Sequence, residues 1–281
     1  MANAQANPIV GPRRIVPTVD FTAPGFATRL PGVSAPTLQN HGGKVIQSVE
    51  VVPIFWGASW STGANAQIVS QLERFFDFIV TSSLMDMLSE YSTASTPIQH
   101  GSRLNSVRVP GSEPGDATPT GRVVTDAQIQ QALQTWIQNG TAPATTPNTL
   151  YFVYLPPNVA CVGAGGAQSC TKMCGYHDHI GSTIYYAVVP YVTCSGCIFP
   201  GNFLDTLTEV SSHEFCEAIT DPTLSTWWDT NTGNEIGDIC NRQTTVFGGF
   251  LIQTEWSNNQ SACVIASTRP TPPGNLRIIP P

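Results

Sequence analysis

Apolar residues along the chain follow two rhythms, and the alternation between them lays out the elements. Val45-Ile46, Val49, Val51-Val52 and Ile54 form a β-branched run from Lys44 to Trp56 that predicts a buried strand. Ile68, Leu72, Phe75, Phe76 and Ile79, then Leu84, Met87 and Leu88, recur at helical spacing and predict one broken helix or two consecutive ones. Thr125-Asp126-Ala127-Gln128 has the capping-box pattern and opens a helix through Ile129, Leu133, Trp136 and Ile137, which Gly140 stops. Further strands are predicted at 149–155 and 184–189, with a short one at 104–109. A last helix begins near Pro200-Gly201-Asn202. Wound as a helix, it puts Phe203, Leu204, Leu207, Val210 and Ala218 on one apolar stripe, with Glu214 inside the stripe. The Gly- and Cys-rich stretch 158–183 shows neither rhythm and reads as a long loop.

This order suits an α+β domain. Residues 1–40 carry Pro8, Pro12, Pro17, Pro24, Pro31 and Pro36 without periodicity, which marks an extended arm, a wrap-around strand or the remnant of a pro-segment. One domain is expected over 41–267, with a Pro-rich tail at 268–281. At 281 residues the chain has ample core for it. A net charge of −7 argues against a nucleic-acid partner or an anionic membrane surface. Two lysines, Lys44 and Lys172, stand against ten arginines, so the surface is kept polar by Ser, Thr, Asn and Gln, as in an exported protein. No run of about 18 apolar residues predicts a membrane span.

The cysteines, Cys161, Cys170, Cys174, Cys194, Cys197, Cys216, Cys240 and Cys263, lie in the second half. Cys194-x-x-Cys197 has no second pair at zinc-knuckle spacing and no helix-start signal after it. An even count among Gly-rich loops favours disulfides and an oxidising, extracellular compartment. Cys240 with Cys263, and pairs within 161–197, are the expected links. Met1-Ala2-Asn3-Ala4-Gln5 lacks the charged and apolar regions of a signal peptide. The expectation is a leader already removed, or export by another route.

The chemistry gathers in Ser212-His213-Glu214-Phe215-Cys216-Glu217-Ala218-Ile219-Thr220-Asp221-Pro222. His213 and Glu217 are four apart on the last helix, one above the other, so one metal ion can take both. Glu214 is left to work on a water molecule. This resembles the His-Glu-x-x-His zinc proteases with a carboxylate in place of the second imidazole, a substitution zinc accepts. The element order likewise resembles the upper half of zincin proteases: a mixed sheet beside an active-site helix, with the strand before it, 184–189, at the sheet edge to hold an extended peptide.

A zinc site needs a third protein ligand. Asn234-Glu235-Ile236-Gly237-Asp238 supplies two acids and resembles the downstream segment of thermolysin-like proteases. In this chain the Asp comes one residue early, and Gly237 weakens a helix. One of Glu235 and Asp238 is expected to bind the ion, with Asp238 preferred, and the other to orient His213. Asp229-x-Asn231-x-Gly233 is oxygen-rich enough to read as a calcium loop or a polar turn. Asp221 is expected to stay local, accepting backbone bonds where the helix ends. In Cys174-Gly175-Tyr176-His177-Asp178-His179 the two imidazoles would share a face on a strand and could bind metal. Alternatively His177, or Tyr185, steadies an oxyanion.

His41-Gly42-Gly43, Ile54-Phe55-Trp56-Gly57, Cys174-Gly175-Tyr176-His177, Ser212 to Glu217, Thr220-Asp221-Pro222, Glu235-Ile236-Gly237-Asp238-Ile239-Cys240 and Gln253-x-x-Trp256-Ser257-Asn258 together resemble the phosphate-induced, EXORDIUM-like protein family of plants, with relatives in bacteria and fungi. The resemblance spans residues 41 to about 263. Tyr176 and Asp221 depart from the plant pattern, which has Trp and Asn there. It implies secretion and a cell-wall setting, and that His213, Glu214, Glu217, Glu235 and Asp238 form one constellation. The expectation is a secreted zinc endopeptidase acting on a peptide or protein substrate. The alternative is a non-catalytic extracellular binding protein with structural zinc or calcium.

Overall fold

The computed structural model describes residues 15–17, 35–199 and 202–266. Its centre is a sheet of β1 (Ile15–Pro17), β2 (Ser48–Trp56), β3 (Gln99–Arg103), β4 (Val107–Val109), β5 (Thr149–Tyr154), β6 (Met173–Ile180) and β7 (Ile184–Val189). The order across it is β1-β6-β7-β5-β2-β3, and β4 also pairs with β2. β7, β5, β2, β3 and β4 pair in parallel, whereas β6 is antiparallel to both β7 and β1. The helices are α1 (Gly63–Ile79), α2 (Ser83–Leu88), α3 (Asp126–Gln138), α4 (Phe203–Thr220) and α5 (Ile236–Ile239). The class is α+β, as expected.

Helices cover both faces of the sheet, which explains why its central strands read as continuous apolar runs. β5 is buried at every position from Thr149 to Tyr154. One face packs Val51, Phe55, Phe152 and Ala187 against α1, α2 and α4. The other packs Val52, Ile54, Val153 and Val188 against Ile129, Leu133 and Trp136 of α3. The capping box of α3 is present: Thr125 Oγ1 accepts the Gln128 N–H, and Gln128 Oε1 accepts the Thr125 N–H. Asp126 then accepts the hydroxyls of Tyr176 and Tyr186 at 2.7 Å each, which ties α3 to the sheet.

Four expectations need correction. The stretch 158–183 is only partly loop: it holds a strand at Val159–Val162 and the whole of β6. β7 is not an edge strand, because β6 pairs along it from Tyr176 to Ile180 and β1 then covers β6. The strand expected at 104–109 is shorter, with β3 ahead of it. The apolar stripe understates the burial of α4, since Thr206 to Thr220 are all buried among β6, β7, α1, α5 and the strand Phe250–Gln253. Its start does match, with Asn202 Oδ1 accepting the Asp205 N–H at 2.9 Å.

Within 1–40, Ile15–Pro17 joins the sheet and Gln39–Asn40 pairs with Trp227–Trp228; the rest of that arm up to residue 34, and the tail 268–281, lie outside the described residues. The eight cysteines form three disulfides, Cys170–Cys194, Cys174–Cys197 and Cys240–Cys263, and leave Cys161 and Cys216 as buried thiols. Among the described residues no helix is long and apolar enough to cross a membrane.

Candidate metal centre

Three elements bring the chemistry together. α4 supplies His213, Glu214 and Glu217, the start of α5 supplies Glu235 and Asp238, and β6 supplies His177 from the sheet. His213 Nε2 lies 2.9 Å from Glu217 Oε1, yet the approach lacks the alignment of a hydrogen bond. Asp238 completes this group, with its backbone N–H on Glu217 Oε1 at 3.2 Å. On the other side, His177 Nδ1 lies 3.1 Å from Glu214 Oε2 and 3.4 Å from Glu217 Oε2. Its Nε2 faces Glu235 Oε1 at 3.7 Å. The structure therefore brings His213, Glu217, Glu235 and Asp238 together, and His177 with them.

Gln253 fixes the orientation of His213, and the motif reading assigned it no role. Its Oε1 already accepts the Arg242 N–H at 2.9 Å, so His213 Nδ1, 3.2 Å from the same oxygen, is the donor to it. The His213 lone pair is then on Nε2, on the Glu217 side of the ring. The Gln253 amide nitrogen donates to the Gly237 carbonyl at 2.9 Å, which links the α4 imidazole to the α5 acids. A metal-bound imidazole needs such a partner on its far nitrogen. Gly237 has its own reason: a Cβ there would meet the His213 ring at 2.8 Å. The residue that weakens the helix by propensity is needed for close approach.

The electrostatics ask for a cation. Four acids and two imidazoles share one interior; Asp238 is 9% exposed and the other five are fully buried. Burial alone would lift Glu217, but His213 and His177 beside it hold its carboxyl down at about 2. Burial likewise opposes charge on His177, and Glu214 and Glu217 overcome it, raising the imidazole to about 10. His213 moves up in the same way, with Glu217 first among the causes that oppose its burial. Glu235 is pushed up by burial first and then by neighbouring carboxylates, and Glu214 by burial, against the hydrogen bond from His177. His177 Nε2, His213 Nε2, Glu214 Oε1, Glu217 Oε2 and both Glu235 oxygens are buried without a hydrogen-bond partner. Orphaned buried lone pairs are costly unless a metal takes them, and this mixed nitrogen and oxygen set suits zinc and its first-row neighbours.

Other expected residues lie elsewhere. Tyr185 donates its hydroxyl to the Ser182 carbonyl and lines a cavity of about 640 Å³ with Lys44, Asn148 and Thr183. His179 turns back to the Gly181 carbonyl at 2.6 Å. Asp221 Oδ1 accepts the N–H groups of Ser225 and Thr226 where α4 ends. Asp229 Oδ1 accepts from Asn231 and Thr232, and its Oδ2 from Thr37, so backbone donors occupy both oxygens of the one carboxylate in the expected calcium loop.

No protein-family model and no solved structure matches the chain. Protein EXORDIUM-like 5 of Arabidopsis thaliana is 23% identical over 284 residues, covering 80% of this chain and 77% of that protein. The similarity runs through most of both chains and supports the resemblance to EXORDIUM-like proteins that the motifs carry.

Proposed function

We propose that this chain is a zinc-dependent hydrolase that cleaves peptide bonds in an extracellular setting. The observation that carries the reading is the convergence of His213, Glu217 and Asp238, whose ligand atoms lie within 4.8 Å of one another, beside the further acid Glu214. Zinc bound there supplies Lewis acidity and a water molecule of lowered pKa. With one ion bound, Glu214 takes the proton and returns it to the leaving amine, since its Oε1 has no partner and burial lifts its pKa toward that work. His177 holds the other oxygen of Glu214 and is the nearer of the two groups expected to steady an oxyanion. Three disulfides suit the compartment.

The test is hydrolysis of a mixed peptide pool by the purified protein. Chelation or His213→Ala should abolish it. Glu214→Gln should lower it about 10²–10⁴-fold while the ion at His213 stays bound. Unchanged hydrolysis in Glu214→Gln would sink the mechanism.

A second reading, a non-catalytic binding protein with a structural ion, is favoured by the closure of the site: Asp238, at 9%, is its most exposed acid or imidazole. Structural zinc is fully ligated by protein. X-ray absorption of the zinc form separates the two readings, because only the catalytic one requires a solvent oxygen in the coordination shell.

A further inference from the structure

We infer that the centre holds two divalent cations, with Glu217 as the carboxylate that bridges them. The two oxygens of Glu217 face different imidazoles: Oε1 lies 2.9 Å from His213 Nε2, and Oε2 lies 3.4 Å from His177 Nδ1. Glu217 is the one residue shared by two sets of ligands. One set is His213, Glu217 and Asp238, and the other is His177, Glu214 and Glu217; within each, the atoms lie no more than 4.8 Å apart. Both sets offer one imidazole and two carboxylates, a ligand class suited to zinc, manganese or cobalt.

The second set is built to take an ion. Its side chains are fully buried; His177 Nδ1, which faces both carboxylates, has its 3.1 Å contact with Glu214 Oε2 to give up for the ion, while Glu214 Oε1 and Glu217 Oε2 have no hydrogen-bond partner. Glu235 adds two more buried oxygens without one, 3.7 Å from the same imidazole at the closer of them. Charge points the same way. Glu214, Glu217, Glu235 and Asp238, with the buried Glu255 whose charge acts on His213 and Glu217, put more carboxyl groups in this interior than one divalent ion balances. An uncompensated buried charge is what such an interior cannot carry cheaply. Paired ions sharing a carboxylate are also a recurring arrangement in hydrolases.

This inference rests on the metal-centre reading above and changes one role in it. With both ions bound, Glu214 is a ligand, and Glu235 is the carboxylate left to take a proton. The competing arrangement is a protonated His177 clamped between Glu214 and Glu217, with one ion only.

Metal stoichiometry decides between them without recourse to hydrolysis. The stripped protein is titrated with Mn²⁺, bound metal is measured by elemental analysis, and the loaded sample is examined by electron paramagnetic resonance. Two ions per chain with an exchange-coupled spectrum are expected, falling to one uncoupled ion in His177→Ala. Should that variant not fold, the near-isosteric Glu214→Gln must show the same drop. One ion in the unmodified chain overturns the second site and leaves the hydrolase reading standing. No ion overturns both. Two ions that respond to neither substitution place the second one elsewhere and overturn this assignment.

Discussion

At the scale of single residues, the centre depends on side chains that bind nothing themselves. Gln253 is fully buried and holds His213 in the tautomer that frees Nε2. Gln253→Ala should therefore weaken metal binding about 10–100-fold without removing a ligand. Competition against a chromophoric chelator measures this, and affinity equal to the unmodified chain would deny Gln253 its orienting role. Gly237→Ala acts by contact instead, because its Cβ would press on the His213 ring at 2.8 Å. Forcing a methyl into a packed contact costs about 1–3 kcal/mol. The variant should melt lower and bind metal more weakly, and a Tm shift without any change in affinity would show that the ring yields freely.

Among the elements, α5 is a single short turn that carries Asp238, and it is tied down at its end by Cys240–Cys263. Replacing both cysteines with Ser should cost about 2–5 kcal/mol and loosen the acid it positions. Denaturant unfolding with and without metal reads both effects, and a loss of stability that metal affinity does not follow would separate α5 from the disulfide. The pairing itself predicts thiol behaviour. Burial pushes Cys161 up to about 12 and Cys216 well above its ordinary range, so both stay protonated and sheltered. A thiol reagent should find none in the native chain and two after unfolding without reductant; a reactive native thiol would contradict this arrangement.

The elements legible in the sequence are those whose signals are local. β5, β7, the start of α4 and the capping box of α3 are written in neighbouring residues. β6 was missed because it alternates toward two buried environments that are both polar in part. Gly175 and His177 face α4, while Tyr176 reaches Asp126 of α3. An apolar pattern cannot announce a strand whose core side holds a ligand. The stripe on α4 understates its burial for the same reason, since His213 and Glu217 fall outside it and the partners that bury them lie far off in sequence. Gln253 is 40 residues from His213, and no local rule connects them.

For the molecule as a whole, the open question is how a closed centre would meet a substrate, and β1 is where the fold answers. Ile15 pairs with Tyr176 and Val16 with Gly175, so this strand covers β6 next to His177 and runs beside α4 and α5. The edge that an extended peptide would use is thus taken by the chain itself. The hold is short: the register breaks between Val16 and Pro17, and Pro17 has no N–H to continue the ladder. At about 0.5–1.5 kcal/mol net per hydrogen bond, so few pairings can be given up to a competing strand. Deleting residues 1–34 should keep the metal centre, lower the Tm only modestly and raise the rate of peptide cleavage by freeing the β6 edge. Elemental analysis, thermal unfolding and the peptide-pool assay check the three parts. A folded, metal-loaded deletion variant that still cleaves nothing would move the weight to the structural-ion reading. In that case β1 seals a stabilising core, where the hydrolase reading has it standing in a substrate's place.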